Sequence, residues 1–420
     1  MRTVGAFGIA LFCAAAIGCD STGSMPGTGG DGGRPVVEDG GLARDGGVND
    51  GGALDGGADA GPRGPDDGGI PSTCETGGLT GRACAPDGMT SISNALVTAT
   101  GLDCRGQVVR VETHAGADGR WTLLGLPATD VDVSITVGSF VLSSRARVIA
   151  GVTTLLDSSK TCFRSNALKM AVITGNGDQI ETLLTQLGFA PDLIDGKVSG
   201  DGGVPPAAAF LTDMTRLATY QVLFIDCAAF TRRGVVNLGP NAAAILTNLR
   251  AFVAGGGSLY SSDWGGAILA LAYPDQVVLR LVTGGDTQAT RISSPFDTDR
   301  LIGYAPQDVT GAVRNADLSA YLGRARVDVT FPMSPPTNHW SLLAGARSGV
   351  SADIVSDVSS CNAGDCMQRG PFLTNVPLAI SFRPTPAPAR GGNVIFTSFH
   401  NIAQTTDDVK RILQFLIFRL

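Results

Sequence analysis

Four short runs in the C-terminal part of this 420-residue sequence carry side chains able to do chemistry together. They are Asn176 with Asp178, Asp226 with Cys227, Ser262 with Asp263 and Trp264, and His400 with Asn401. A cysteine or serine becomes a strong nucleophile when a base takes its proton, and histidine is the base most often used. The chain has 3 histidines: His114, His339 and His400. Two pairings are therefore open, Cys227 with His400 and Ser262 with His400, both suited to hydrolysis or acyl transfer. The same polar set also suits a cleft that holds a ligand without reacting with it. Metal chemistry draws no support from spacing: there is no Cys-x2-Cys pair, and nothing flanks His339 and His400 as further ligands. Neither a metal nor a cofactor is expected.

Each run follows a stretch that reads as a strand. Leu168 to Thr174 is apolar and ends in Gly175-Asn176-Gly177-Asp178; Val222 to Asp226, Ser258 to Ser262 and Asn393 to Phe399 follow suit. Between them, Gln179 to Leu187, Asn241 to Ala254 and Thr405 to Leu420 have helical spacing. The middle one places Ile245, Leu246, Leu249 and Phe252 on one face and stops at Gly255-Gly256-Gly257. Strands alternating with helices over 166–420 predict an α/β fold with a mainly parallel sheet. Ligands of such sheets bind outside the strand C-termini, where the polar runs lie. Residues 275–375 break the rhythm and read as an insertion.

Residues 73–163 alternate instead. Ala95 to Ala99, Val108 to Thr113, Trp121 to Leu124, Val131 to Val137 and Ala146 to Ile149 read as short strands. Gly, Asp and Pro punctuate them, the pattern of a small β-sandwich. Trp121 is expected in its core.

Two resemblances sharpen this picture. Asn94-Ala95-Leu96-Val97, the Ala117 to Leu123 hairpin, the Leu124-Gly125-Leu126-Pro127-Ala128 turn and Val148 to Leu155 resemble the carboxypeptidase regulatory-like, transthyretin-like family. That family implies a sandwich serving as a spacer, here a stalk. Val253 to Trp264 and Thr397 to Asn401, with a Phe-His pair where the last strand meets the last helix, resemble the class I glutamine amidotransferase-like fold. This implies a three-layer, flavodoxin-like domain. The family's nucleophilic Cys sits on a sharp turn, and that turn here should be Ser261-Ser262-Asp263-Trp264-Gly265, without a cysteine. The Glu that follows the family's His by two residues is replaced by Ile402. The resemblance thus implies a domain without its family's catalysis that binds a glycan or peptide. A hydrolase or amidotransferase using Cys227 or Ser262 with His400 is the alternative, and a purely architectural surface protein is the third. Cys227 lacks the glycines of an elbow and is expected as a small apolar filler. Asp263 is expected to cap the turn opening at Trp264.

At the N-terminus, Met1-Arg2-Thr3 precedes an apolar run from Val4 to Ala16, too short to span a bilayer and right for a signal h-region. Ala16-Ile17-Gly18-Cys19 resembles a bacterial lipoprotein signal, residues 1–19. It implies export, acylation of Cys19 and anchoring to a bacterial membrane, at the outer membrane or cell surface or on a periplasmic face. Residues 20–72 hold 18 Gly, 9 Asp, one Glu and three Arg, a composition expected to stay disordered. Their charge of −7 equals that of the whole chain, so the remaining 28 basic and 28 acidic residues balance. A nucleic-acid partner has no electrostatic support. The expected partners are the membrane, through the lipid, and an envelope glycan or peptide. An exported chain favours disulfides. Cys74, Cys84, Cys104 and Cys162 allow three pairings, and Cys361 with Cys366 would close a tight loop.

Overall fold

A computed structural model describes residues 73–232, 235–279, 303–332, 340–362, 365–384, 392–401 and 406–420. The signal, Cys19, the Gly/Asp-rich run, His339, Ile402 and the side chain of Cys366 lie outside the described residues. Those described fall in one compact unit, Gly68–Leu420. The chain is β-rich with short helices, and no helix among the described residues is long and apolar enough to cross a membrane.

Seven strands come first: β1 (Thr76–Arg82), β2 (Leu96–Leu102), β3 (Val108–His114), β4 (Arg120–Pro127), β5 (Asp130–Val137), β6 (Phe140–Arg147) and β7 (Thr153–Leu155). A helical turn, α1 (Ser158–Thr161), follows. They form two sheets, ordered β4-β1-β7 and β3-β2-β5-β6. Alternation builds the core between them: on β5, Val131, Val133, Ile135 and Val137 are buried while Asp130 and Asp132 stay exposed. Trp121 is buried in that core. Strand β1 escapes the sequence reading because Gly77, Gly78 and Gly81 dilute its pattern. Gly77 is required by space, since a Cβ there would lie 2.1 Å from the Ile149 carbonyl oxygen. Of the three possible pairings, the chain makes Cys74–Cys104 and Cys84–Cys162. Cys361 is disulfide-bonded as well.

The rest of the chain continues with β8 (Met170–Thr174), α2 (Ile180–Gln186), β9 (Asp192–Asp195), α3 (Ala207–Thr212), α4 (Met214–Leu217) and β10 (Val222–Ile225). A two-strand ribbon, β11 (Thr231–Arg232) and β12 (Val235–Val236), leads to α5 (Ala242–Ala254), β13 (Ser258–Ser262) and α6 (Gly266–Ala272). Then come β14 (Gln307–Val313), α7 (Ala316–Leu322), β15 (Arg326–Phe331), β16 (Val350–Asn362), β17 (Asp365–Phe382), β18 (Val394–Thr397) and α8 (Asp407–Ile417). Nine strands form one sheet, ordered β15-β14-β16-β17-β18-β13-β10-β8-β9.

The expected mainly parallel sheet is corrected to a mixed one. From β9 to β18 the pairings are parallel, and from β18 to β15 they are antiparallel. The difference comes from 275–375, which supplies β14, β15, β16 and part of β17 and extends the sheet edge. On β8, Met170 and Val172 join the core that holds Leu183 and Leu184 of α2 and Ile412 and Leu416 of α8. Ala171 and Ile173 join a second core with Phe210, Leu249 and Ile268. Strands covered on both faces read as continuous apolar runs, which is why they were legible.

The sandwich packs directly against the rest of the unit. Phe140, at the start of β6, packs its ring against Phe163, Phe189 and Phe418 at 5.7, 5.6 and 5.1 Å between centroids. The Ser139 N–H donates to the Leu420 carbonyl, and Asp87 N–H to that of Leu187. Asn94 donates to Asp317 at 2.9 Å. The contacts near Ser258, which begins β13, lie at the strand N-termini. The opposite edge is left for the polar runs.

Candidate functional site

Register brings the polar runs together. Ile173 pairs with Ile225, Ile225 with Ser261, and Ser262 with Thr397. The next residues along each chain, from Gly175, Asp226, Asp263 and Ser398, therefore emerge at one sheet edge. Tyr260 ties β13 to β18 through a 2.8 Å hydrogen bond between its hydroxyl and that of Thr397.

Two turns at this edge are backbone-strained without glycine. After β10, Ala228 and Phe230 have φ of 63° and 58°; after β13, Asp263 has φ of 42°. Non-glycine residues adopt such angles where the surroundings dictate them, and they cluster at functional sites. Cys227 immediately precedes the first of these turns, which forms without glycines of its own. Partner glycines make the room: a Cβ on Gly175 would lie 2.0 Å from the Cys227 carbonyl oxygen, and one on Gly177 2.6 Å from its sulfur.

The side chains form a closed network. The Cys227 thiol donates to Asp263 Oδ2 at 3.5 Å, and His400 Nε2 lies 3.8 Å from the same oxygen. Asp263 Oδ1 accepts from the Ser341 N–H at 2.6 Å. Asp263 is therefore no helix cap; the turn opening there has Ser262 at its cap position, with no capping bond from its side chain. Ser262 Oγ accepts from the Cys227 N–H at 3.1 Å and donates to Asp178 Oδ2 at 2.7 Å. Asp178 Oδ1 accepts from the N–H groups of Gln179 and Asn401, at 2.8 and 3.1 Å. The Asn401 side chain donates to the Gln179 carbonyl at 2.8 Å. Cys227, Ser262, Asp263, Trp264, His400 and Asp178 are all buried. Asn401 is half-buried and Asn176 exposed. Trp264 is thus a packed side chain. A cavity of about 390 Å³, lined by Asp353, Arg383, Asn393 and Arg419 among others, includes none of these residues.

Electrostatics follows burial. Burial first, and the Asp263 charge second, hold the Cys227 thiol well above its ordinary range, against the Trp264 backbone N–H. Burial also raises the Asp263 carboxyl, and His400 and the Ser341 N–H offset part of the rise. Sequence reasoning named Asp226 beside Cys227 but gave it no role of its own, and it missed Glu181 and Ser341 as neighbours of the site. Asp226 is fully buried, and neither carboxylate oxygen makes a well-formed hydrogen bond. Burial, then the Asp178 and Glu181 charges, push its carboxyl well above the ordinary range, with the Gly175 N–H opposing. Between the unfolded carboxyl's value near about 4 and this raised one, the native state binds the extra proton, so stability falls as pH rises through that window. Asp226→Asn is expected to stabilise the protein at about pH 8 and change little near pH 4, read from urea midpoints at both. A variant no more stable at the higher pH would show that Asp226 is not held protonated.

Comparison with known proteins leaves the site to speak for itself. No protein family matches the chain, and no curated protein matches it. Solved structures that it resembles include the mmIFT52 N-terminal domain, at 8% identity over 60% of this chain and 96% of that one, with a TM-score of 0.34. The cold-adapted β-galactosidase from Rahnella sp. R3 is similar at 12% identity over 60% of this chain, with a TM-score of 0.32. This chain spans 30% of that enzyme's length. At these scores neither likeness bears on what the chain does.

Proposed function

We propose that this chain is an exported lipoprotein, acylated at Cys19 and tethered to the cell envelope. Its C-terminal part is an amidotransferase-like α/β domain that binds a glycan or peptide without its family's catalysis. The strand order β9-β8-β10-β13-β18, with helices against both faces, supports a flavodoxin-like arrangement with β8 as first strand. One observation carries the non-catalytic reading: the elbow position holds Asp263, and the Cys227 thiol is directed into that carboxylate. A catalytic histidine must face its nucleophile. Here His400 faces Asp263, and the Ser262 hydroxyl is committed to Asp178. Exposed Asn176 and half-buried Asn401 rim the cluster and offer amide contacts to a sugar or peptide.

Labelled palmitate is expected to enter the wild-type protein and to be absent from Cys19→Ser. Soluble peptidoglycan fragments are expected to raise the unfolding midpoint, and Asn176→Ala to abolish the rise. A fluorophosphonate probe is expected to leave Ser262 unmodified. Rapid labelling of Ser262 would install the hydrolase reading in place of this one.

A further inference from the structure

Cys227, Asp263 and His400 present three different metal-binding donors to one point. Their sulfur, carboxylate oxygen and imidazole nitrogen all lie within 4.8 Å of one another. Sγ lies 3.5 Å from Oδ2, and Oδ2 lies 3.8 Å from Nε2. Zinc bonds of about 2.3 Å to sulfur and about 2.0–2.1 Å to nitrogen and oxygen place tetrahedral donors roughly 3.3–3.6 Å apart. The sulfur–oxygen separation already fits, the oxygen–nitrogen one would close by up to about 0.5 Å, and the sulfur–nitrogen one, under 4.8 Å, would close to roughly 3.6 Å to seat the ion. The donors follow β10, β13 and β18, far apart in sequence, so no local spacing announces them.

The surroundings suit a cation. All three side chains are nine-tenths or more buried, at 3%, 5% and 6% exposure. A divalent ion with one thiolate and one carboxylate is neutral overall, which avoids the cost of burying net charge. The remaining groups hold the donors in place, as outer partners of metal ligands do. The Ser341 N–H fixes Asp263 Oδ1 and leaves Oδ2 toward Cys227 and His400, and the Trp264 backbone N–H bonds to Cys227.

We infer that Cys227, Asp263 and His400 form a three-ligand site for a borderline-soft divalent metal, zinc above all, with the fourth position open to water or to a bound ligand's donor atom. As the ion takes the sulfur, the thiol proton leaves to solvent. The inference rests on reading this cluster as a binding site, and it departs from the sequence, which led to no metal.

Cobalt titration of the chelator-treated, purified protein tests it. One equivalent of Co²⁺ is expected to produce a thiolate-to-metal charge-transfer band with the visible bands of a tetrahedral site, and Zn²⁺ to bleach both. Cys227→Ser is expected to lose the charge-transfer band, and His400→Gln to weaken binding by more than about tenfold. Asp263→Asn, which keeps the side-chain shape, is expected to weaken it similarly, with circular dichroism verifying that each variant is folded. A folded wild type that gives no cobalt band, or a band that survives Cys227→Ser, overturns the site. Absence of cobalt binding with Cys227 still inert to alkylation would remove the metal and leave the non-catalytic reading standing. A rapidly alkylated Cys227 would remove that reading.

Discussion

Phe140→Ala is expected to destabilise the whole protein by about 3–5 kcal/mol, the usual cost of emptying a large buried aromatic site. Phe140 is fully buried. Its ring meets Phe163 at the end of the sandwich segment, Phe189 after α2 and Phe418 after α8. Favourable ring pairs add about 0.5–1.5 kcal/mol each beyond area burial. The side chain therefore works as a wedge joining the sandwich to the base of the nine-stranded sheet. In wild type, urea unfolding followed by circular dichroism and by tryptophan fluorescence is expected to give coincident transitions. In Phe140→Ala the midpoint should fall and the two probes should separate. Two transitions in wild type, with the substitution moving only one, would mean that the sandwich is hinged on the rest.

Replacing Cys84 and Cys162 together by Ala should cost about 4.5 kcal/mol. That figure follows from the loop entropy the crosslink removes from the unfolded chain across a separation of 78 residues. Both cysteines are buried. The Phe163 N–H donates to the Cys84 carbonyl at 2.9 Å, so the crosslink also holds one ring of the Phe140 cluster in place. Cys74–Cys104 closes a shorter loop of 30 residues and includes the exposed Cys104. Its removal should cost less. Thermal unfolding of the two double variants, each beside the wild type, gives the ordering. A Cys74/Cys104 variant that loses more than the Cys84/Cys162 variant would contradict it.

Much of this architecture was written in local pattern. Strands such as Ser258–Ser262 have the residues expected, because apolar runs between two helix-covered faces leave little choice. The meeting of Asp178, Cys227, Ser262, Asp263 and His400 was legible too, since each ends a strand of one parallel array. Strand β1 was not legible, because its glycines answer to neighbouring backbone and erase the period. Nor was the antiparallel extension, where pairing over long separations decides. Asp263 was misread as a cap: its carboxylate is claimed by Ser341, which lies 78 residues further on. Asp226 was named for its place at a strand end, but its burial gave no signal, since a carboxylate ending an apolar run looks like solvent exposure until the turn above it folds over.

The most direct test is the rate at which Cys227 is alkylated by iodoacetamide in the native, metal-free protein, against the same chain unfolded in urea. Cys227 is the free cysteine among the described residues, so mass spectrometry of its peptide isolates the event. A thiol buried and donating to Asp263 should react at least about a hundredfold more slowly folded than unfolded, because the thiolate is the reactive form. Faster reaction in the native protein would reveal a thiolate activated by His400, and with it an enzyme.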